Sequence, residues 1–219
     1  MLAFDIETGP WEESPAEFDE STVSYGNTKD PEKRKKKLEE ERAKWEGRAT
    51  LDATRCKIIG LGLCDGDTVE VNLGDEVSIL QNWWIVYEEH RRNGPASLVG
   101  HNVRGFDLDM IYKRSRIHGI KIPFHFESYR KTKNMWYSGA EVWDTMWDGW
   151  RDWIKLDVLA RLLGFDWEKK FKGEMFWQVL QEDQDRAVEY LQEDCRAVWE
   201  IATYWGKGVQ DSNNMRRSV

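Results

Sequence analysis

The sequence predicts an α/β domain with a mixed five-stranded sheet flanked by helices and a charged helical insertion after the first strand. Three observations predict it. Short apolar runs bounded by turn residues alternate with stretches of helical periodicity. Two of those runs are joined by Asp65-Gly66, a hairpin signal, whereas a later run follows a helix. Antiparallel and parallel pairings therefore share one sheet. Finally, one long segment near the N-terminus carries charge with almost no apolar face.

Leu2 to Ile6 reads as a short buried strand. From about residue 9 to 50 the chain turns polar and reads as an insertion. Its helix has Asp30 as N-cap, Pro31 in the first turn and Gly47 past the end. Opposite charges at i,i+4, such as Lys36/Glu40 and Lys37/Glu41, lace its surface, while its apolar stripe is only Leu38 and Trp45.

Residues 57–63 and 68–72 form the predicted hairpin. Val77, Leu80, Trp84 and Tyr87 mark a helix that Asn93-Gly94-Pro95 ends. Residues 97–100 read as a buried strand, residues 106–118 as a helix, and Val142-Trp143 as the centre of a fifth strand. Helices follow near 156–163, 176–180 and 185–205. The expected organisation is one domain over 1–205 and a polar, frayed tail over 206–219.

Composition sets outer bounds. With 40% hydrophobic and 33% charged residues the chain belongs to the soluble globular class. No apolar run approaches the roughly 20 residues that span a membrane. The opening Met1-Leu2-Ala3-Phe4-Asp5 leaves no room for a signal peptide. Three cysteines, Cys56, Cys64 and Cys195, lie in no metal-ligand spacing, which fits a reducing, cytoplasmic setting. No GxxxxGK[ST] loop is present, against an ATPase.

Net charge is −8, against a protein that coats nucleic acid by bulk electrostatics but not against an enzyme that meets phosphate through bound cations. Locally, seven basic residues (Lys113, Arg114, Arg116, Lys121, Arg130, Lys131, Lys133) face one acid, Glu127. This strip reads equally as a phosphate track or as a solvated face.

Three segments carry chemistry. In Phe4-Asp5-Ile6-Glu7-Thr8 strand alternation puts Asp5 and Glu7 on one face. Two like carboxylates that close repel unless a cation lies between them, although such a triplet alone also fits a polar sheet end. On the last helix, taking Leu191 as the centre of a buried stripe with Val188, Cys195, Val198, Ala202 and Trp205, Asp194 falls about 60° away, inside the apolar arc. A buried carboxylate there needs either a metal ion or a Lys or Arg from elsewhere. Tyr190 lies one turn earlier and reaches the same region. The third segment runs from Gly100 through His101, Asn102, Val103, Arg104, Gly105 and Phe106 to Asp107, off a strand end and into a helix, where α/β proteins place their chemistry. Asp109 rivals Asp107 for any special role.

Together these segments resemble the motifs of the DEDD, or DnaQ-like, superfamily of 3′–5′ exonucleases with the RNase H-like fold. Phe4-Asp5-Ile6-Glu7-Thr8 is similar to the first motif. His101 to Asp107 is similar to the second, and Tyr190-Leu191-Gln192-Glu193-Asp194 to the third in its tyrosine form (DEDDy). The histidine subgroup would place His where Glu189 stands. Trp143-Asp144-Thr145-Met146 and Leu156–Gly164 resemble segments of the proofreading domains of DNA polymerase I and its relatives. The insertion departs from the family pattern.

The resemblance implies a two-metal-ion exonuclease that uses Mg²⁺ or Mn²⁺. Asp5 would bridge the ions, Glu7 and Asp194 would complete the site of the attacking water, and Asp107 would help hold the second ion. Tyr190 would orient that water. Thr8, Asn102 and Phe106 match family positions near the terminal nucleotide. The implied partner is nucleic acid with a free 3′ end, single-stranded DNA favoured, handled by a stand-alone or phage-type enzyme in the cytoplasm (the host's, if phage-encoded). Residues 124–137, with Tyr129 and Trp136 among basic residues, offer a stacking surface for bases. Readings that stay open are an exoribonuclease, an endonuclease of the same fold, and a non-catalytic nucleic-acid-binding module.

Overall fold

A computed structural model describes residues 1–92, 96–124, 126, 140–167 and 169–206. Five strands form one sheet: β1 (Leu2–Pro10), β2 (Cys56–Cys64), β3 (Val69–Leu73), β4 (Ala96–Gly100) and β5 (Ala140–Asp144). Their order is β3-β2-β1-β4-β5. β2 runs antiparallel to β1 and β3, and β4 runs parallel to β1 and β5. The hairpin turns at Gly66, whose φ of 106° suits a residue without Cβ. The helices are α1 (Pro31–Gly47), α2 (Glu76–Arg91), α3 (Asp107–Ile117), α4 (Leu156–Leu162), α5 (Phe176–Glu182) and α6 (Gln184–Tyr204). Among the described residues, no helix is long and apolar enough to cross a membrane.

The α/β mixed sheet expected from sequence is the one observed, with two differences at element ends. β1 continues past Ile6 to Pro10, because its ladder to β2 resumes beyond a register shift between Glu7 and Thr8. The chain thus leaves the sheet at Trp11 rather than at residue 9. Gly47 closes α1 from inside rather than lying past it, while Asp30 caps the other end by accepting from the Glu32 and Lys33 amides. The Asn93-Gly94-Pro95 signal and the tail from residue 207 lie outside the described residues.

Strand alternation divides the core. Leu2, Phe4 and Ile6 pack with Leu61 and Leu98 against α2 and α3. The Phe4 and Trp83 ring centroids lie 4.5 Å apart. Each such buried side chain contributes roughly 1.5–3 kcal/mol. On the opposite face Ala3, Cys64 and Val99 pack against α4 and α6. Asp5 and Glu7 share that second face. α6 buries a wider arc than the expected stripe, including Ala187, Tyr190, Asp194, Ala197 and Ile201. Val188 and Trp205 are only half-buried at its edge.

A buried knot ties the insertion to the sheet. Glu76 accepts from the Ile58 amide at 2.6 Å and from Arg114 Nε at 2.8 Å. Arg114 is fully buried, donates Nη1 to the Ala53 carbonyl at 2.8 Å and lies over the Trp11 ring. A buried guanidinium persists only when paired in this way. Arg114 therefore drops out of the basic strip read from composition. Lys113 is engaged too, 2.5 Å from Asp109, and Arg130, Lys131 and Lys133 lie outside the described residues.

Candidate active site

Asp5 and Glu7 project from β1 toward α6, which carries Asp194. One carboxylate oxygen from each of the three can be chosen so that all lie within 4.8 Å of one another. Two glycines make this approach possible. Gly62 is paired with Asp5 across the ladder, and Gly60 with Glu7. A Cβ on Gly62 would meet Cys195 Sγ at 2.5 Å, and one on Gly60 would meet Leu191 Cδ1 at 2.8 Å. At Gly62, where the Leu191 carbonyl also lies 3.2 Å from such a Cβ, a larger residue would hold α6 away.

The electrostatics are those of crowded acids. Burial first, then Asp107, Glu7 and Asp194, push the Asp5 carboxyl well above its usual range. Burial and then Asp194 push Glu7 up to about 8. Burial also raises Asp194, against the pull of Lys169. Lys169 Nζ lies 3.0 Å from Asp194 Oδ2. The cation from elsewhere that a buried Asp194 called for is therefore present, and no local pattern in the sequence marks it.

Asp107 stands outside the three-carboxylate group. It is the first residue of α3, buried, and its Oδ1 accepts from the Ile6 amide at 3.1 Å. Burial raises its carboxyl to about 7. It nonetheless heads the charged neighbours that act on Asp5. Its rival Asp109 is spent on Lys113.

Tyr190 is buried one turn above Asp194, with its ring stacked on Phe171 at 4.3 Å and Lys169 Nζ 4.7 Å from its centroid. Burial, then Glu7 and Asp194, drive its phenol far above the ordinary tyrosine value. Residues 169–173 bring Phe171 and Gly173 over the site, and a Cβ on Gly173 would lie 3.4 Å from the Tyr190 hydroxyl and 3.5 Å from Glu7 Oε1.

The expected substrate residues separate. Asn102 lines the same cleft as Asp5, Glu7, Tyr190 and Asp194, a cavity of about 670 Å³. It holds φ of 64°, and its Oδ1 accepts from Trp147 Nε1 at 3.1 Å. Thr8 is buried and gives its hydroxyl to the Thr50 carbonyl at 2.7 Å, so the insertion's last turn occupies it. Phe106 lies on a neighbouring groove, shared with Phe18 and Trp45 of the insertion, and not on the walls of this cleft. Tyr129 and Trp136 lie outside the described residues.

Asp144 belongs to the Trp143–Met146 motif, but its sequence context does not mark its role. Fully buried, it accepts from the amides of Asn102, Arg104, Met146 and Trp147. It joins the loop after β4 to the π-helical turn Thr145–Trp150. His101 adds a second tie, with Nε2 donating to the Ile154 carbonyl at 2.8 Å and Nδ1 2.7 Å from the Thr145 hydroxyl. Burial lowers the His101 pKa, which favours the neutral ring.

The donor set suits a hard divalent cation. Three carboxylates converge, and among the described residues neither Asp194 Oδ1 nor the Tyr190 hydroxyl, both buried, has a hydrogen bond of good geometry. Buried polar atoms are seldom left so, and a cation with oxygen ligands would satisfy the carboxylate.

No curated protein matches the sequence. The fold is similar to the family B DNA polymerase of the hyperthermophilic archaeon Pyrobaculum calidifontis, with a TM-score of 0.61 and 16% identity. The likeness covers 93% of this chain and 24% of the polymerase, so the chain spans about a quarter of that protein. It establishes an RNase H-like fold of the kind found in polymerase exonuclease domains. A family's sequence model matches residues 51–205, more than half of the chain, although its span leaves out β1 and the insertion helix. The chain belongs to that family, the predicted 3′–5′ exonucleases related to the exonuclease domain of PolB.

Proposed function

We propose that this chain is a two-metal-ion 3′–5′ exonuclease of the tyrosine subgroup, releasing nucleoside monophosphates from a free 3′ end of nucleic acid, with single-stranded DNA favoured. The observation that carries the reading is the meeting of Asp5, Glu7 and Asp194 within 4.8 Å on an exonuclease-family chain. These three, with Asp107 behind Asp5, would hold Mg²⁺ or Mn²⁺. Bound there, such ions supply an activated water and neutralise the leaving 3′-oxygen.

The chain's own groups do the rest. Glu7, with its pKa near 8, gives up a proton as a cation binds, which makes binding tighter as pH rises. Tyr190 stays protonated through neutral pH, so its hydroxyl orients the attacking water rather than taking its proton. Phe171 and Lys169 fix the ring that aims it. Lys169 also brings positive charge to the edge where a phosphate would meet Asp194.

The test is digestion of a 5′-labelled single-stranded DNA oligonucleotide and its RNA counterpart with Mg²⁺ or Mn²⁺, beside an EDTA control and the Asp194→Ala variant. A metal-dependent ladder shortening from the 3′ end, lost in the variant, is expected. Internal cuts would overturn the exonuclease reading in favour of an endonuclease, an unaffected variant would overturn the site, and preference for RNA would reassign the substrate.

A further inference from the structure

The segment after β5 presents three tryptophans at three-residue spacing to solvent: Trp147 at 45% exposed, Trp150 at 43% and Trp153 at 64%. Single exposed apolar side chains are ordinary, but three large indole faces within seven residues are a grouping of the kind that marks binding surfaces. The segment is held from several sides. Asp144 pins its start through four amides, Trp205 packs under Gly149, and His101 holds the Ile154 carbonyl. Arg151 closes the π-helical turn at φ 67°, a left-handed conformation that non-glycine residues adopt at a cost. Such wide turns recur at functional sites.

The three indoles differ in one respect. Trp153 lines the cleft that contains Asp5, Glu7, Tyr190 and Asp194. Trp147 is committed through its N–H to Asn102. Trp150 lines no part of the cleft. Trp153 is therefore an exposed aromatic face on a pinned segment, within the cavity where a strand end would have to lie.

We propose that Trp153 is a substrate-binding residue whose indole face stacks on a nucleobase of a single-stranded end, holding the strand in register with the carboxylates. This rests on the nucleic-acid reading of the cleft above. Stacking is the chemistry that fits, because it is tolerant of sequence and every base offers a π-face. Net charge of −8 leaves little bulk attraction for a polyanion, so a stacking contact has more of the holding to do.

The experiment uses the full chain and a 5′-fluorescein ten-nucleotide single-stranded DNA, with Ca²⁺ in place of Mg²⁺, read by fluorescence anisotropy. Trp153→Ala should weaken binding by about 10-fold, with Trp153→Phe recovering most of it. Trp150→Ala, also exposed but off the cleft, should bind like wild type. A series of oligonucleotides with one abasic site at successive positions from the 3′ end adds a readout that a merely structural role would not move. Wild type should lose affinity at one position, and Trp153→Ala should be indifferent there. Equal affinity of wild type and Trp153→Ala, the same abasic profile in both, or no binding by wild type would overturn the proposal. The two readings fail separately. Wild type that binds with the stacking signature but cuts nothing in Mn²⁺ sinks the exonuclease, whereas wild type that cuts without the signature sinks the stacking alone.

Discussion

Replacing Asp5 by Asn should make the metal-free protein more stable. The change keeps the side chain's shape and removes one charge from the group in which oxygens of Asp5, Glu7 and Asp194 lie within 4.8 Å. At that separation and an effective dielectric of about 20, one carboxylate pair repels by roughly 3 kcal/mol. Asp5 faces two such partners and Asp107 besides, while Lys169 and partial solvent access offset part of the sum. The net gain expected for Asp5→Asn is about 2–4 kcal/mol where all the acids are ionised.

The sign with pH follows from the raised carboxyls. Glu7 has a folded pKa of about 8 against 4.5 unfolded, so its contribution is complete below 4.5 and is lost as pH rises through 8. Asp107, raised from 3.8 to about 7, behaves alike, and Asp5 is displaced in the same direction. Wild type in EDTA should therefore weaken across this window. Urea unfolding in EDTA at pH 9 and pH 5 reads the effect. The variant should be the more stable at pH 9, and the gap should narrow markedly at pH 5, where the raised wild-type carboxyls take up protons. With Mn²⁺ at about 100 times its dissociation constant, wild type should gain about 2.7 kcal/mol and the variant less. A variant no more stable than wild type at pH 9, or a gap that persists at pH 5, would refute the account of the cluster as a store of repulsion.

Tyr190→Phe should slow turnover by about 10- to 100-fold through misplacement of the water while Mn²⁺ affinity measured by calorimetry holds; an unchanged rate removes the hydroxyl from the mechanism. Gly62→Val should cost Mn²⁺ affinity, because its Cβ alone would come within 2.5 Å of Cys195 Sγ and lift α6; Cys195→Ala should restore part of it, and full affinity in the single variant would contradict the seating of the helix. Arg114→Met leaves the buried Glu76 with only the His118 ring and the Ile58 amide as partners and should cost about 3 kcal/mol in urea unfolding, with faster tryptic cleavage of α1; a cost below 1 kcal/mol would show that the knot is dispensable.

The parts of this site carried by periodicity were legible before the structure. Alternation alone puts Asp5 and Glu7 on one face of β1, and helical spacing puts Tyr190 and Asp194 on one side of α6. What could not be read are contacts made between elements distant in sequence. Lys169 has no pattern around it, and only the general demand that a buried Asp194 be compensated foretold a cation. Asp107 was legible as a residue at a helix start but not as an acceptor for the Ile6 amide, a partner 101 positions away. Arg114 shows the limit of charge counting, since its neighbours in sequence are basic while its neighbours in space are Glu76 and Trp11. The chain from residue 9 reads as insertion, yet pairing with β2 carries the strand to Pro10, at its end, where a proline is tolerated. Phe106 sits at the expected junction, but the groove it enters is walled by the insertion.

The four amides gathered by Asp144 give the cleft unequal walls. On one side the buried Asp144 carboxylate and the His101 ring tie the loop after β4 to the π-helical turn, so neither shifts without the other, and they will respond to a ligand as one block. On the other side residues 169–173 hold to α6 through side chains, by the Lys169–Asp194 pair at 3.0 Å, surface pairs of Lys170 with Glu189 and Glu193, and Phe171 stacked on Tyr190. Compliance is thus concentrated on the wall that also carries Lys169 and adjoins Tyr190. Under the proposed function, a widening that admits a strand would be felt first by Lys169 and Tyr190, which would couple how the end is seated to whether it is cut.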